Sequence, residues 1–102
     1  MKNYNLIFLS LFEEDLNRIV DYISLQLQNP EAAMRLVDEV YSAIMKRLPF
    51  AESFEPIKTR QDREHLYYRI YVQNYIVFYV VVDSTMEVRR VLYGRRDWKK
   101  HI

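Results

Sequence analysis

Apolar residues recur along this chain first at the spacing of a helix and later at that of a strand. Phe12, Leu16, Ile19, Ile23 and Leu27 lie three or four positions apart and line one helical face, with Asp15, Arg18 and Asp21 directed away from it. Ser10-Leu11-Phe12-Glu13 reads as a capping box: the serine oxygen accepts an N–H that the first turn leaves free, and the glutamate reaches back. Asn29-Pro30 ends this helix and opens another, since asparagine caps well and proline is pre-set for the first helical position. Ala33, Val37, Val40, Ile44 and Leu48 form the second stripe, Lys46 and Arg47 sit near its negative end, and Pro49 stops it. A link of about three residues makes the two helices, over 10–48, an antiparallel hairpin.

On either side the pattern is that of strands. Tyr4-Asn5-Leu6-Ile7-Phe8-Leu9 precedes the hairpin, and residues 49–64, with two prolines, read as an irregular connection. Leu66, Tyr68, Ile70 and Val72 then alternate with His65, Tyr67, Arg69 and Tyr71. Gln73-Asn74 is a tight turn, with asparagine tolerating the left-handed backbone. Tyr75 to Val82 is nearly all β-branched or aromatic and belongs in the interior of a sheet. Asp83-Ser84-Thr85 turns the chain into a strand from Met86 to Tyr93, Gly94 ends it, and Arg95 to Ile102 form a short basic tail. The predicted fold class is α+β in the order βααβββ: the helical hairpin covers one face of an antiparallel sheet ending in a three-stranded meander. The other face is left for function.

Composition narrows the chemistry. The 102 residues suffice for one domain, taken as 1–102. Without cysteine there is no disulfide, thiol nucleophile or cysteine-based metal site. His65 and His101 stand apart, and no glycine-rich phosphate loop or Ser/His/Asp arrangement occurs, so neither metal nor cofactor is expected. No long apolar segment follows Met1-Lys2, and the run Tyr75 to Val82 is too short to span a bilayer, so the expectation is a cytoplasmic chain with no membrane partner. Net charge is +1, but unevenly placed: residues 1–56 hold five Lys/Arg against nine Asp/Glu, and residues 57–102 hold ten against five. The basic half also carries six of the nine tyrosines, a mixture suited to nucleic acid or to a protein interface.

The βααβββ order, the proline-started second helix, Tyr75-Ile76-Val77-Phe78-Tyr79 and the closing Arg90-Val91-Leu92-Tyr93-Gly94-Arg95-Arg96-Asp97-Trp98 resemble the RelE/ParE toxin superfamily, closer to its ParE-like members. The resemblance spans essentially the whole chain. It implies the growth-inhibiting toxin of a bacterial type II toxin–antitoxin pair, held inactive by a cognate antitoxin. Two chemistries share that fold: ParE-like members inhibit DNA gyrase, and RelE-like members cut mRNA in the ribosome. Cleavage through the 2′-OH needs a base, cations for the phosphorane and an acid for the leaving oxygen. By resemblance, Arg69 stands at a strand-lysine position and Arg96 at the arginine after the closing glycine, the two catalytic candidates should the chain be a nuclease. The rest departs from the nuclease pattern. Ile76 replaces an often working arginine, Tyr67 replaces a lysine, and the chain ends at Ile102 where a tyrosine is expected, leaving Tyr67, Tyr93 and His101 to substitute.

The reading favoured is a ParE-like toxin that binds DNA gyrase through Tyr93, Arg95, Arg96, Trp98, Lys99 and Lys100, projecting past Gly94 toward one partner. The alternatives are a RelE-like endonuclease acting with the ribosome and mRNA, and a degenerate member that keeps only antitoxin binding. Several of these residues also have ordinary structural roles. Arg69 and Arg89 suit solvated strand positions, and Tyr68, Tyr75 and Tyr79 suit packing. Trp98 suits a pin for the tail, and Arg90, in the register of Val88 and Leu92, suits a partly buried pair with a carboxylate such as Asp97.

Overall fold

The first strand, β1 (Asn5–Phe8), runs straight into helix α1 (Ser10–Asp21) in the computed structural model, which describes residues 3–57 and 65–102. Leu9 is the joint. Its N–H donates to the Val88 carbonyl at 2.9 Å, and its own carbonyl accepts the N–H groups of Phe12 and Glu13 at 3.0 and 3.3 Å. The expected capping box is therefore not formed: Leu9 is the N-cap, no side chain caps the helix, and Ser10 is already helical. The residue still tied to the sheet must also start the helix, so no position is left for a serine cap.

At its far end α1 widens into one π-helical turn, Tyr22–Gln26, closed by the Leu27 N–H on the Tyr22 carbonyl at 3.1 Å. The wider turn rotates Leu27 off the apolar stripe and leaves it 56% exposed. Gln28, at φ 52°, makes the left-handed reversal. Asn29 then caps α2 (Pro30–Arg47) as expected, its Oδ1 accepting the Ala32 N–H at 3.1 Å. Ala33, Leu36, Val40 and Ile44 form the buried stripe of α2. Val37 is only half-buried, because Leu36 takes the inward position. A 3₁₀ turn, Leu48–Phe50, follows. The connection predicted over 49–64 is described only to Ile57, and its remainder lies outside the described residues.

The sheet has the order β1-β4-β3-β2, with β2 (Tyr68–Val72), β3 (Tyr75–Val82) and β4 (Thr85–Tyr93) forming the expected meander. It is mixed rather than wholly antiparallel, because β1 lies parallel to β4. The β2–β3 turn puts Gln73, not Asn74, in the left-handed region at φ 53°. Asp83 and Ser84 do the same before β4, at φ 50° and 60°, so Thr85 belongs to the strand. One β-bulge interrupts the β3–β4 pairing: the register steps from Phe78↔Arg90 to Tyr79↔Val88, with Arg89 as the extra residue.

Both faces of the sheet are packed. On one, Phe12 and Leu16 of α1, Ile23 of the π turn and the α2 stripe meet Ile70, Val77, Tyr79, Met86, Val88 and Val91. On the other, Ile57, Tyr67, Ile76, Phe78, Val80 and Leu92 form a second core that Trp98 and Ile102 cover. The face expected to stay open is thus largely closed. β3 explains this, since an unbroken apolar strand needs cover on both sides. Tyr79 ties the layers together: its hydroxyl donates to the Ala51 carbonyl at 2.7 Å and accepts from Arg47 Nη1 at 3.1 Å. Arg47 in turn lies 3.5 Å over the Phe54 ring. Among the described residues no helix is long and apolar enough to cross a membrane.

Two substitutions probe this packing. Ile44, fully buried, should lose roughly 2–5 kcal/mol of stability on change to alanine, through lost burial and a residual cavity. Denaturant unfolding measures it, and a loss below about half a kcal/mol would contradict the assigned helix face. Gln28→Gly should instead stabilise by roughly 0.5–1 kcal/mol, since a left-handed backbone disfavours side chains with a Cβ more than glycine's extra freedom in the unfolded chain offsets.

Candidate partner-binding site

β1 covers β4 only from Thr85 to Val88, so the next residues of β4 present an edge with no strand beside it among the described residues. Asp15 of α1 fills that gap. Its Oδ2 accepts the Val91 N–H at 3.2 Å and Arg90 Nε at 2.6 Å, while Oδ1 accepts Arg90 Nη2 at 2.8 Å. The carboxylate is buried, 2% exposed, although helical spacing had directed it outward. Arg90 reaches it although the bulge places its Cα in the register of the other face. The extra residue moves Arg90 out of the register of Val88 and opposite Phe78, on the second face, from which it extends round the edge. Its third contact, Nη1 to the His101 carbonyl at 3.1 Å, holds the tail. The hydrogen bonds that Arg90 donates to Asp15, against the opposing effect of burial, raise its pKa above the usual arginine value.

Arg90 thus has the structural role expected of it, but its partner is Asp15 and not Asp97. Asp97 instead lies 3.5 Å from Lys100, both of them exposed. The tail does not project, either. Gly94 sits so close to Asn74 that an added Cβ would lie 3.1 Å from the Asn74 carbonyl oxygen, which already accepts the Gly94 N–H at 2.7 Å. The Arg96 N–H then returns to the Tyr93 carbonyl at 3.0 Å. A 3₁₀ turn, Trp98–Lys100, lays the Trp98 ring 5.1 Å from Phe78 and pins the tail as expected.

This folding back distributes the predicted site residues among three surfaces. Tyr93 and Arg96 line a groove of about 610 Å³ between the end of α1 and the sheet, together with Arg18, Tyr22, Leu27 and Tyr75. Arg95 lies in a shallower hollow with Tyr71 and Gln73. Arg69 and Lys99 share a third, on the second face, with Glu55 and Trp98. The two candidate catalytic arginines, Arg69 and Arg96, therefore line different grooves and do not converge. Arg69 is exposed beside Tyr71, its guanidinium carbon 5.5 Å from that ring. Arg89 is mostly buried rather than solvated. It donates to the Tyr67 hydroxyl at 3.1 Å and to Glu87 at 3.2 Å.

Sequence reasoning missed Arg18, Tyr22 and Leu27 as groove residues. A faint signal existed, since Tyr22, Leu25 and Leu27 put more large apolar residues at the end of α1 than one stripe can bury.

Fold and site together define a small α+β protein with a stabilised core and an exposed, cationic, apolar groove. The sequence matches the family described as "ParE toxin of type II toxin-antitoxin system, parDE" over residues 6–98, and the chain belongs to that family. Among solved structures it is similar to a chain of the chromosomal ParDE TA system from P. aeruginosa, with TM-score 0.66 and 16% identity, covering 89% of this chain and 96% of that one. It is also similar to a chain of the archaeal RelE–RelB complex from Pyrococcus horikoshii OT3, with TM-score 0.45 and 18% identity, covering 93% and 99%. No curated protein sequence matches it.

Arg90→Met should lower stability by about 3–5 kcal/mol, because it leaves the buried Asp15 charge with only the 3.5 Å contact to the exposed Arg18 as a counter-cation. Adding Asp15→Asn should recover part of that loss, since the amide keeps an acceptor for Val91 and needs no counter-cation. A double-mutant cycle by chemical denaturation checks the coupling, and strict additivity would contradict it.

Proposed function

We propose that this chain is the toxin of a type II toxin–antitoxin module that acts by binding and inhibiting DNA gyrase, without catalysis of its own, and is neutralised by a cognate antitoxin. Membership of the ParE family supports the module. The observation that carries the choice of mechanism is the separation of Arg69 from Arg96. Transition-state stabilisation requires cations aimed at one phosphate, and these two border different grooves. Ile76, which stands where nuclease relatives often carry an arginine, is buried in the second core and supplies no charge.

A protein-binding toxin needs only exposed anchors. Tyr93 offers an aromatic ring and Arg96 a planar fork in one groove, residue types that commonly dominate interface energetics. Arg95, Lys99 and Lys100 add exposed positive charge on surfaces outside this groove, which favours encounter with an acidic partner surface.

Induction of the chain in bacteria lacking the antitoxin tests the mechanism. Gyrase-dependent DNA damage with unchanged transcript ends is expected, whereas new internal mRNA ends would select the nuclease reading. Arg96→Ala should relieve toxicity and leave the melting temperature nearly unchanged, since an exposed arginine contributes little to folding. Full toxicity in a folded Arg96→Ala variant would remove this residue from the mechanism.

A further inference from the structure

Trp98 and Ile102 cover the middle of the sheet's second face, but its outer strand still shows Arg69 and Tyr71 to water. Alternation along β2 buries Tyr68, Ile70 and Val72 against the helices and turns Arg69 and Tyr71 the other way. Two shallow hollows lie beside them. Tyr71, Gln73, Asn74, Arg95 and Trp98 line one of about 260 Å³, and Glu55, Arg69, Trp98 and Lys99 line another of about 400 Å³. Trp98 borders both, so the tail, by folding back, joins them into one surface.

Cations and rings are interleaved on this surface. The Arg69 guanidinium carbon lies 5.5 Å from the centre of the Tyr71 ring, and Lys99 Nζ lies 5.8 Å from that of Trp98. Tyr71 is 64% exposed, so most of its ring is in water. The aliphatic neighbours, Ile57 and Ile76, are instead buried in the second core. An apolar peptide side chain finds no socket here, whereas a flat base finds aromatic partners.

Charge selects the same kind of occupant. Arg69 and Arg95 have no ion-pair partner among the described residues, and Glu55 is the one acid in the described lining of either hollow. The helical hairpin, on the far side of the sheet, carries the opposite sign. It exposes Glu13, Glu14, Asp21, Glu31, Asp38 and Glu39 against only Arg18, Arg35 and Lys46. A polyanion is therefore drawn to the second face and repelled by the hairpin.

We propose that this surface binds a single strand of DNA, with bases stacked on Tyr71 and Trp98 and phosphates held by Arg69, Arg95 and Lys99. The arginine fork meets phosphate oxygens with two parallel hydrogen bonds, and stacking tolerates any sequence because every base has a ring face. A duplex keeps its bases stacked on one another and would leave both rings unused. For the source of the strand the proposal rests on the gyrase reading. A toxin docked through Tyr93 and Arg96 on an enzyme that holds DNA keeps this separate surface open to that DNA.

Fluorescence anisotropy with the full chain and a labelled oligothymidine of about 12 nucleotides tests it. Wild type should bind this strand more tightly than the matching duplex, and at least as tightly as the oligouridine of equal length. Arg69→Ala and Arg95→Ala should each weaken binding by about tenfold, and should reduce the slope of log affinity against log salt by about 0.7, the share of one single-strand phosphate contact. Tyr71→Ala should weaken binding by about tenfold with the slope unchanged, and Tyr71→Phe should restore it, since only the ring is required. Arg35→Ala on α2 removes the same charge elsewhere and should alter neither quantity. All these side chains are exposed, so each variant should melt near the wild-type temperature.

An oligothymidine that wild type does not bind at low salt would overturn the proposal and leave the toxin reading standing. Equal binding of the duplex would do the same, as would a loss in Arg35→Ala as large as in Arg69→Ala. Preference for oligouridine would give the surface to RNA and overturn it as well. Oligothymidine binding by a chain whose induction causes no gyrase-dependent DNA damage would overturn the gyrase reading, and with it the source assigned to the strand.

Discussion

Asp15 is a buried charge in a protein of only 102 residues, and its neutralisation by Arg90 constrains much of what surrounds it. A carboxylate removed from water is strongly destabilising unless a cation and hydrogen-bond donors meet it. Here the donors come from a strand edge that β1 is too short to cover, and the cation comes from the residue after a bulge. Were β1 to extend past Phe8, it would occupy the place that Asp15 now fills. The same guanidinium reaches the His101 carbonyl, so a single side chain links α1, β4 and the tail. The groove lies directly beside this junction.

Local pattern made the elements legible, and long-range pairing accounts for what it missed. The helical stripe, the asparagine cap and the interior position of β3 follow from spacing and residue type. The outward direction assigned to Asp15 also follows from spacing, and fails because the surface it faces is the end of a short parallel strand, invisible from neighbouring positions. The bulge did leave a trace: Met86 and Val88 are two apart, Val91 is three further on, and all three face the helices. Reading that step would have moved Arg90 to the other face. The turns show another limit, since Gln28 and Gln73 adopt left-handed backbones where residue preference pointed to asparagine or glycine.

The site was legible as residues and not as a surface. Tyr93, Arg95, Arg96, Trp98, Lys99 and Lys100 are close in sequence, and a projecting tail would have presented them together. The tail instead folds back at Gly94, and the Trp98 ring reaches Phe78 across the second face. That contact depends on an apolar residue twenty positions earlier in the chain, so no local reading of 93–100 contains it. Two covered sheet faces leave a groove at the end of α1 among the concave surfaces, built half from residues of the hairpin.

The division between stability and recognition follows from this arrangement. Phe12, Leu36, Val40, Ile44 and Tyr79 are buried, and their packing sets the fold. Arg18, Tyr22, Leu27, Tyr93 and Arg96 are exposed and add little to it, so their identities are free to match a partner. Asp15 stands at the boundary, holding the strand edge on one side and forming the groove lining on the other. Its oxygens are already engaged by Arg90 and the Val91 N–H, which offsets its charge at the groove wall. The buried ion pair thus holds in place the scaffold on which the groove's exposed arginines stand.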